Sequence, residues 1–271
     1  MNISIDLIKQ FREMTMASVK DCKTCLTEAN SDIELAKEIL KKKWLANAAK
    51  KADREMNEGI VKFENRNGRL VWISVWCETD FVSRWDMFID LIENLLIELS
   101  NMSNDISNFD QLPEDVASKL ANMVNELVGK IWENMKIWAL VSKSLWDNAN
   151  YIYNHNNAKL STVVFYKALS ENAENAAKKI ALQSAAMNPD YSKLEDVPSD
   201  MIEKMKFEFE SEVALSGKPA NIIENIVIGK MNKQLSDMVL VEQSYIWDET
   251  KKLKDIINGN IEFISCDRYT I

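Results

Sequence analysis

Three groups of residues have the types and spacings that chemistry would need. Cys22-Lys23-Thr24-Cys25 has the spacing of a zinc half-site or a redox pair. A structural zinc takes four ligands, however, and no second pair follows, so both thiols are expected to face a small helical core. His155 is the single histidine, so a histidine-dependent triad or multi-histidine metal site would have to be built around that one residue. Its place beside Asn154, Asn156 and Asn157 marks a polar turn and suits a surface contact. Cys77-Glu78-Thr79-Asp80-Phe81-Val82 leaves a β-rich run and enters a helical one, which presents its side chains at a sharp junction. From local sequence alone, Asp80 could be no more than a helix N-cap and Phe81 no more than a staple. No Gly-x-x-x-x-Gly-Lys loop, Gly-x-Gly-x-x-Gly fingerprint or His-Glu-x-x-His pair occurs, so the chain is expected to bind no nucleotide or metal of its own.

The elements that must position these residues follow from periodicity. Residues 4–55 read as three short helices with stripes Ile5/Ile8/Phe11, Val19/Cys22/Leu26 and Leu35/Ile39/Leu40, and Ser31 with Glu34 reads as a capping box opening the third. Helices so short must share one core. Residues 60–76 change to alternation around Asn67-Gly68, the strongest short hairpin signal. A helix over 84–99 then carries Phe88, Leu91, Ile92, Leu95, Leu96 and Leu99 on one side, and Pro113 precedes another through Leu127. A second strand-rich stretch over 137–166 places Tyr151-Ile152-Tyr153 and Val163-Val164-Phe165 on either side of the Asn-rich turn. An alanine-rich helix over 171–187 follows, then helices over 199–215 and 220–235 joined by Ser216-Gly217-Lys218-Pro219. Glycine to close and proline to open is the polarity of an antiparallel helical hairpin. Residues 260–264 form a final short strand. The fold class is α+β: a three-helix module over 1–55, then a core of two hairpin-plus-helix subdomains, 56–136 and 137–271, the latter including the helical hairpin 199–235.

Composition narrows the function. At 271 residues, 46% hydrophobic and 28% charged, the chain is globular, and a formal charge of −9 makes nucleic acid and anionic lipid poor partners. Four scattered cysteines fit a reducing compartment, and neither a secretory leader nor a long apolar run is visible, so a cytoplasmic protein without a membrane partner is expected. Eight tryptophans against six glycines imply that asparagine supplies many of the turns.

The arrangement resembles elongation factor Ts. Asp21-Cys22-Lys23 with Leu26-Thr27-Glu28-Ala29-Asn30 and Asp32-Ile33-Glu34-Leu35-Ala36 is similar to that family's amino-terminal signature, and Ala48-Ala49-Lys50-Lys51-Ala52 with Glu58-Gly59 to its linker. Cys77-Glu78-Thr79-Asp80-Phe81-Val82 resembles its exchange motif, and these three blocks keep the family spacing without gaps. Trp132-Glu133-Asn134 resembles its Gly-Glu-Asn motif, Tyr153-Asn154-His155 its hairpin histidine, Ser216-Gly217-Lys218-Pro219 its helical-arm turn, and 240–245 a Gln-Pro-Phe segment. The likeness covers nearly the whole chain.

The resemblance implies a nucleotide exchange factor that makes and breaks no bond, uses no cofactor, and acts on elongation factor Tu. It implies that the three-helix module is ubiquitin-associated-domain-like (UBA-like) and that Thr79, Asp80, Phe81 and Val82 form the exchange loop, with Asp80 and Phe81 intruding near the partner's magnesium. It further implies that Ile131 and His155 press on a helix of the partner and disturb its phosphate-binding loop. The chain departs from the family pattern at Trp132, where glycine is usual, at Trp85, where a polar residue is usual, at Val19-Lys20 in place of two methionines, and in lacking the carboxy-terminal helix of longer members. The tryptophans motivate an alternative, a helical interaction module that binds a GTPase or another partner without driving exchange. A thiol enzyme using Cys22 and Cys25 is a third reading.

Overall fold

A computed structural model describes residues 3–145, 149–155, 158–214 and 220–271. The chain divides into two compact units. Of the described residues, the first takes those up to Ser144 together with Ala158, Lys159 and Ile271; the second takes the remainder.

The first unit opens with α1 (Ile5–Thr15), α2 (Val19–Glu28) and α3 (Ile33–Ala49). Each is started by a short polar side chain that accepts from a first-turn amide: Ser4 from Leu7 (3.2 Å), Ser18 from Asp21 (3.1 Å) and Asp32 from Leu35 (3.0 Å). The capping box expected from Ser31 and Glu34 therefore does not form: the N-cap is Asp32, whose N3 residue is Leu35. Asn30 and Ser31 both take positive φ to close α2, with the Ser31 amide donating back to Leu26 at 2.8 Å, and an N-cap needs the extended backbone that Asp32 has. Phe11, Cys22, Cys25, Leu26 and Leu40 are fully buried in one small core. Ile5, Val19 and Leu35, counted with the apolar stripes, are exposed because each lies in the first turn of its helix.

Next comes the hairpin β1 (Glu58–Arg66) and β2 (Arg69–Cys77), closed by Asn67 (φ 53°) and Gly68 (φ 71°), the two left-handed residues such a tight turn demands. The one-turn helix α4 (Asp80–Ser83), α5 (Asp86–Ser100) and α6 (Glu114–Ile131) follow, and β3 (Met135–Ser144) returns antiparallel to β2, giving the order β1-β2-β3. The boundary expected after residue 136 thus falls inside β3. Every apolar residue anticipated on α5, from Phe88 to Leu99, is buried over this sheet. Against α6 packs α3, where a Cβ added to Gly129 would lie 2.1 Å from Trp44 Cγ, so only glycine admits the indole. Arg69 is buried and fully used: Nε donates to Ser142 (2.7 Å), Nη1 to Ser144 (3.0 Å) and Nη2 to the Asn104 carbonyl (2.7 Å) and Asp105 (2.9 Å).

The second unit contains β4 (Ala149–Asn154), β5 (Leu160–Ala168), α7 (Ala173–Met187), α8 (Ser199–Ala214), α9 (Ala220–Met238), β6 (Ser244–Tyr245), β7 (Asp248–Lys252), α10 (Leu253–Ile257) and β8 (Ile261–Thr270). Its main sheet runs β4-β5-β8, and the buried alanines 173, 176, 177 and 181 let α7 approach it closely. The last strand is twice the length expected, pairing from Ile261 opposite Ala168 to Thr270 opposite Leu160. Asp267 and Arg268 break the apolar alternation that would have announced it. Helices α8 and α9 lie along one another, with Glu212 and Lys230 paired at 2.6 Å; their expected turn, 216–219, lies outside the described residues, as do Asn156 and Asn157. Asparagine does supply left-handed turns, at Asn30, Asn67 and Asn188.

Candidate functional site

The exchange-like motif sits where β2 runs into α4. Thr79, not Asp80, is the N-cap: its hydroxyl accepts from the Val82 amide at 3.4 Å, and Asp80 is the first helical residue. A helix of four residues cannot hold itself, so its orientation must come from its anchors. Val82 supplies one, buried in the sheet-and-helix core at 4% exposure. Successive residues of a helix point about 100° apart, and with Val82 inward Phe81 is turned out, leaving it 83% exposed. Phe81 is therefore not a staple into its own helix. Asp80 pairs with Arg84 at 3.2 Å. Beneath the turn the Cys77 thiol donates to the Thr79 carbonyl at 3.3 Å; burial, with Glu133 and Glu58 nearby, pushes its pKa up to about 12, so it stays a protonated structural thiol.

The second anchor comes from 54 residues away. One Glu133 oxygen accepts from the Thr79 hydroxyl (2.8 Å) and the other from the Thr79 amide (3.2 Å). Next to it the Asn134 amide donates to Glu78 at 2.5 Å, and the Asn134 side chain reaches the carbonyls of Ala52 (3.4 Å) and Arg54 (3.0 Å). Arg54 in turn meets Glu78 at 3.3 Å. Three sequence blocks, 51–54, 78–83 and 131–134, are thus tied into one cluster inside the first unit.

Ile131 ends α6, partly buried against the core. Trp132 follows at φ 69°, its amide donating to Val128 at 3.0 Å, a helix ending that glycine adopts freely and a bulky side chain only at a cost. Its indole, half exposed, covers the Lys51 ammonium at 4.5 Å from the ring centre. Lys51 is 5% exposed, and among the described residues Nζ has no hydrogen-bond partner; burial first, then the Arg54 charge, lowers its pKa, with Glu78 opposing. Trp85 beside α4 is also half exposed.

His155 belongs to the second unit. It stands exposed at the end of β4, with Nδ1 2.7 Å from the Tyr153 hydroxyl, and lines a shallow cavity of about 310 Å³ with Leu182, Ala185, Ala186, Ile246 and the exposed Trp247. Cys22 and Cys25 are sealed in the three-helix core with their pKa values raised by burial, which removes the basis for thiol chemistry there. Among the described residues no group of three or more His, Cys, Asp or Glu is placed to hold a metal, and no helix is long and apolar enough to cross a membrane. Sequence reasoning named Glu133 and Asn134 only as part of a motif and Lys51 only as part of a linker. Nothing local signals that they meet residues 78 and 79, because those contacts exist only once the loops between are closed.

A family model described as elongation factor TS matches residues 78–271. Relatives named elongation factor Ts include that of Aquifex aeolicus, 34% identical over 273 residues, covering 95% of this chain and 92% of the relative. That of Hydrogenobaculum is 33% identical over 265 residues, with 96% and 95% covered. That of Pseudoalteromonas atlantica is 34% identical over 275 residues, with 100% and 92% covered.

Proposed function

The chain belongs to the elongation factor Ts family of translation factors, and from that premise we propose that it binds elongation factor Tu and promotes GDP release by disturbing the partner's magnesium and phosphate-binding region. The observation that carries this reading is Phe81: a large apolar ring held outside its own core, on a turn whose next residue is locked inside it. A GTPase holds its nucleotide with backbone amides and a helix N-terminus around the phosphates, completed by magnesium. Displacing any of these by about an ångström weakens the hold, since donors aimed at phosphate act only at hydrogen-bond distance. In this reading Phe81 inserts beside those elements, Asp80 brings a negative charge to the metal region, and Thr79 and Val82 hold the turn. Ile131 and the second unit's His155 press on the partner from further contacts.

Linkage sets the direction of the effect. A factor that binds the empty partner more tightly loosens the nucleotide by the same ratio, and incoming nucleotide expels the factor in return. The chain thus acts through binding energy alone and catalyses no bond chemistry. The test is release of fluorescent GDP from elongation factor Tu on adding the chain. Release should accelerate with concentration to a plateau. An unchanged rate with complex formation verified by calorimetry would select the alternative, a module that binds without exchange, which the exposed Trp85 and Trp132 favour.

A further inference from the structure

The one-turn helix that carries Asp80 and Phe81 is set by a residue that has no place in the contact surface just proposed. We propose that Glu133 is the positioning residue of this helix, fixing the direction of Phe81 through Thr79; the inference rests on the exchange reading for its consequence and on the geometry alone for the clamp. Four residues of helix cannot select an orientation by themselves. Val82 and Ser83 are buried on the inner side, but neither holds the capping residue at the start of the turn. Glu133 holds that residue, because both of its carboxylate oxygens are engaged by Thr79, one by the hydroxyl and one by the amide. Two charge-assisted bonds to one residue define an orientation as well as a distance.

The anchor is itself fixed on both flanks. On one side Trp132 closes α6 through its bond to Val128. On the other, Asn134 donates its amide to Glu78 and its side chain to the carbonyls of Ala52 and Arg54, so the residue before Thr79 and the exit of the three-helix module are held by the same tripeptide. The left-handed backbone at Trp132 turns the chain sharply enough for Glu133 and Asn134 to face the β2–α4 junction together. Glu133 acts at a distance from the partner: it touches Thr79, and Thr79 caps the turn that presents Phe81.

Two measurements on the full chain test this. In the free protein, hydrogen exchange of the Thr79, Val82 and Ser83 amides should accelerate about tenfold in Glu133→Ala and by less in the isosteric Glu133→Gln, with α5 and α6 amides unchanged. Unaltered protection of those three amides in both variants overturns the clamp, whatever the protein does to its partner. In the GDP release assay, Glu133→Ala should lower the plateau rate about tenfold, the loss expected if the working orientation is populated a tenth of the time. In a Phe81→Ala background the same change should have a much smaller effect, the part that runs through Asp80. Independent, multiplying losses from Glu133→Ala and Phe81→Ala would overturn positioning through Phe81. A Phe81→Ala variant that releases GDP as fast as wild type would instead sink the exchange reading, and the amide measurement would still decide the clamp.

Discussion

Replacing Phe81 by alanine separates function from folding more cleanly than any other change in this protein. A phenylalanine offers about 200 Å² of surface, and at 83% exposure nearly all of it is available to a partner. At about 25 cal/mol per Å², complete burial of that ring would contribute about 4 kcal/mol. Alanine retains a methyl group, and some of the ring stays at the rim, so a loss of about 2 to 3 kcal/mol is expected, or about thirty- to 150-fold in the coupling between chain and nucleotide. Stability should change by no more than about 0.5 kcal/mol, because the ring packs on nothing that unfolding would expose. The assay is stopped-flow GDP release at saturating chain, with thermal unfolding by circular dichroism on the same samples. A matched melting curve with a plateau rate lowered at least about tenfold is the expected pair of results. An unchanged plateau would refute the wedge; a large fall in melting temperature would refute the claim that Phe81 is structurally idle.

Lys51→Met replaces a buried ammonium that has no hydrogen-bond partner among the described residues by an apolar chain of similar length, and should stabilise the first unit by about 1 kcal/mol despite losing the contact with Trp132. Because the folded-state pKa of Lys51 is lowered, the unfolded chain binds more protons between that value and the ordinary lysine range; wild-type stability should rise with pH across this window, and the methionine variant should lose that slope. Asp21 and Glu242 are opposite cases. Burial alone would raise both, but Lys43 and Ser18 hold Asp21, and Lys252 and Lys254 hold Glu242, below the usual carboxylate range. Each therefore contributes stability above its unfolded pKa that is lost as pH falls through the folded one. Denaturant titrations should show Asp21→Asn and Glu242→Gln costing about 1 to 2 kcal/mol at pH 7 and little near pH 2. Arg69→Lys keeps the charge but cannot reach Ser142, Ser144, Asn104 and Asp105 at once, so chemical denaturation should report a loss of about 2 to 4 kcal/mol.

Much of this protein was legible without coordinates because its elements announce themselves locally. The period of α5, the Asn67-Gly68 turn and the alanine-rich α7 are properties of short windows, and so is the run from Cys77 to Val82 that carries the resemblance to elongation factor Ts. Local signals erred where a single residue could serve either of two neighbouring elements: Ser31 closes α2 instead of opening α3, and Thr79 takes the cap that Asp80 could have held.

What the tertiary structure alone decided is which way the motif faces and what holds it there. Val82 and Phe81 are adjacent and both apolar, so no periodicity separates them; the core beneath α4 takes Val82 and leaves Phe81 to solvent. The pairing of β3 with β2, the full reach of β8 along β5 and the grip of Glu133 on Thr79 join residues dozens to a hundred positions apart. Such contacts form only after intervening chain has been closed into loops, and whether that entropy is repaid depends on the whole core rather than on any window of sequence.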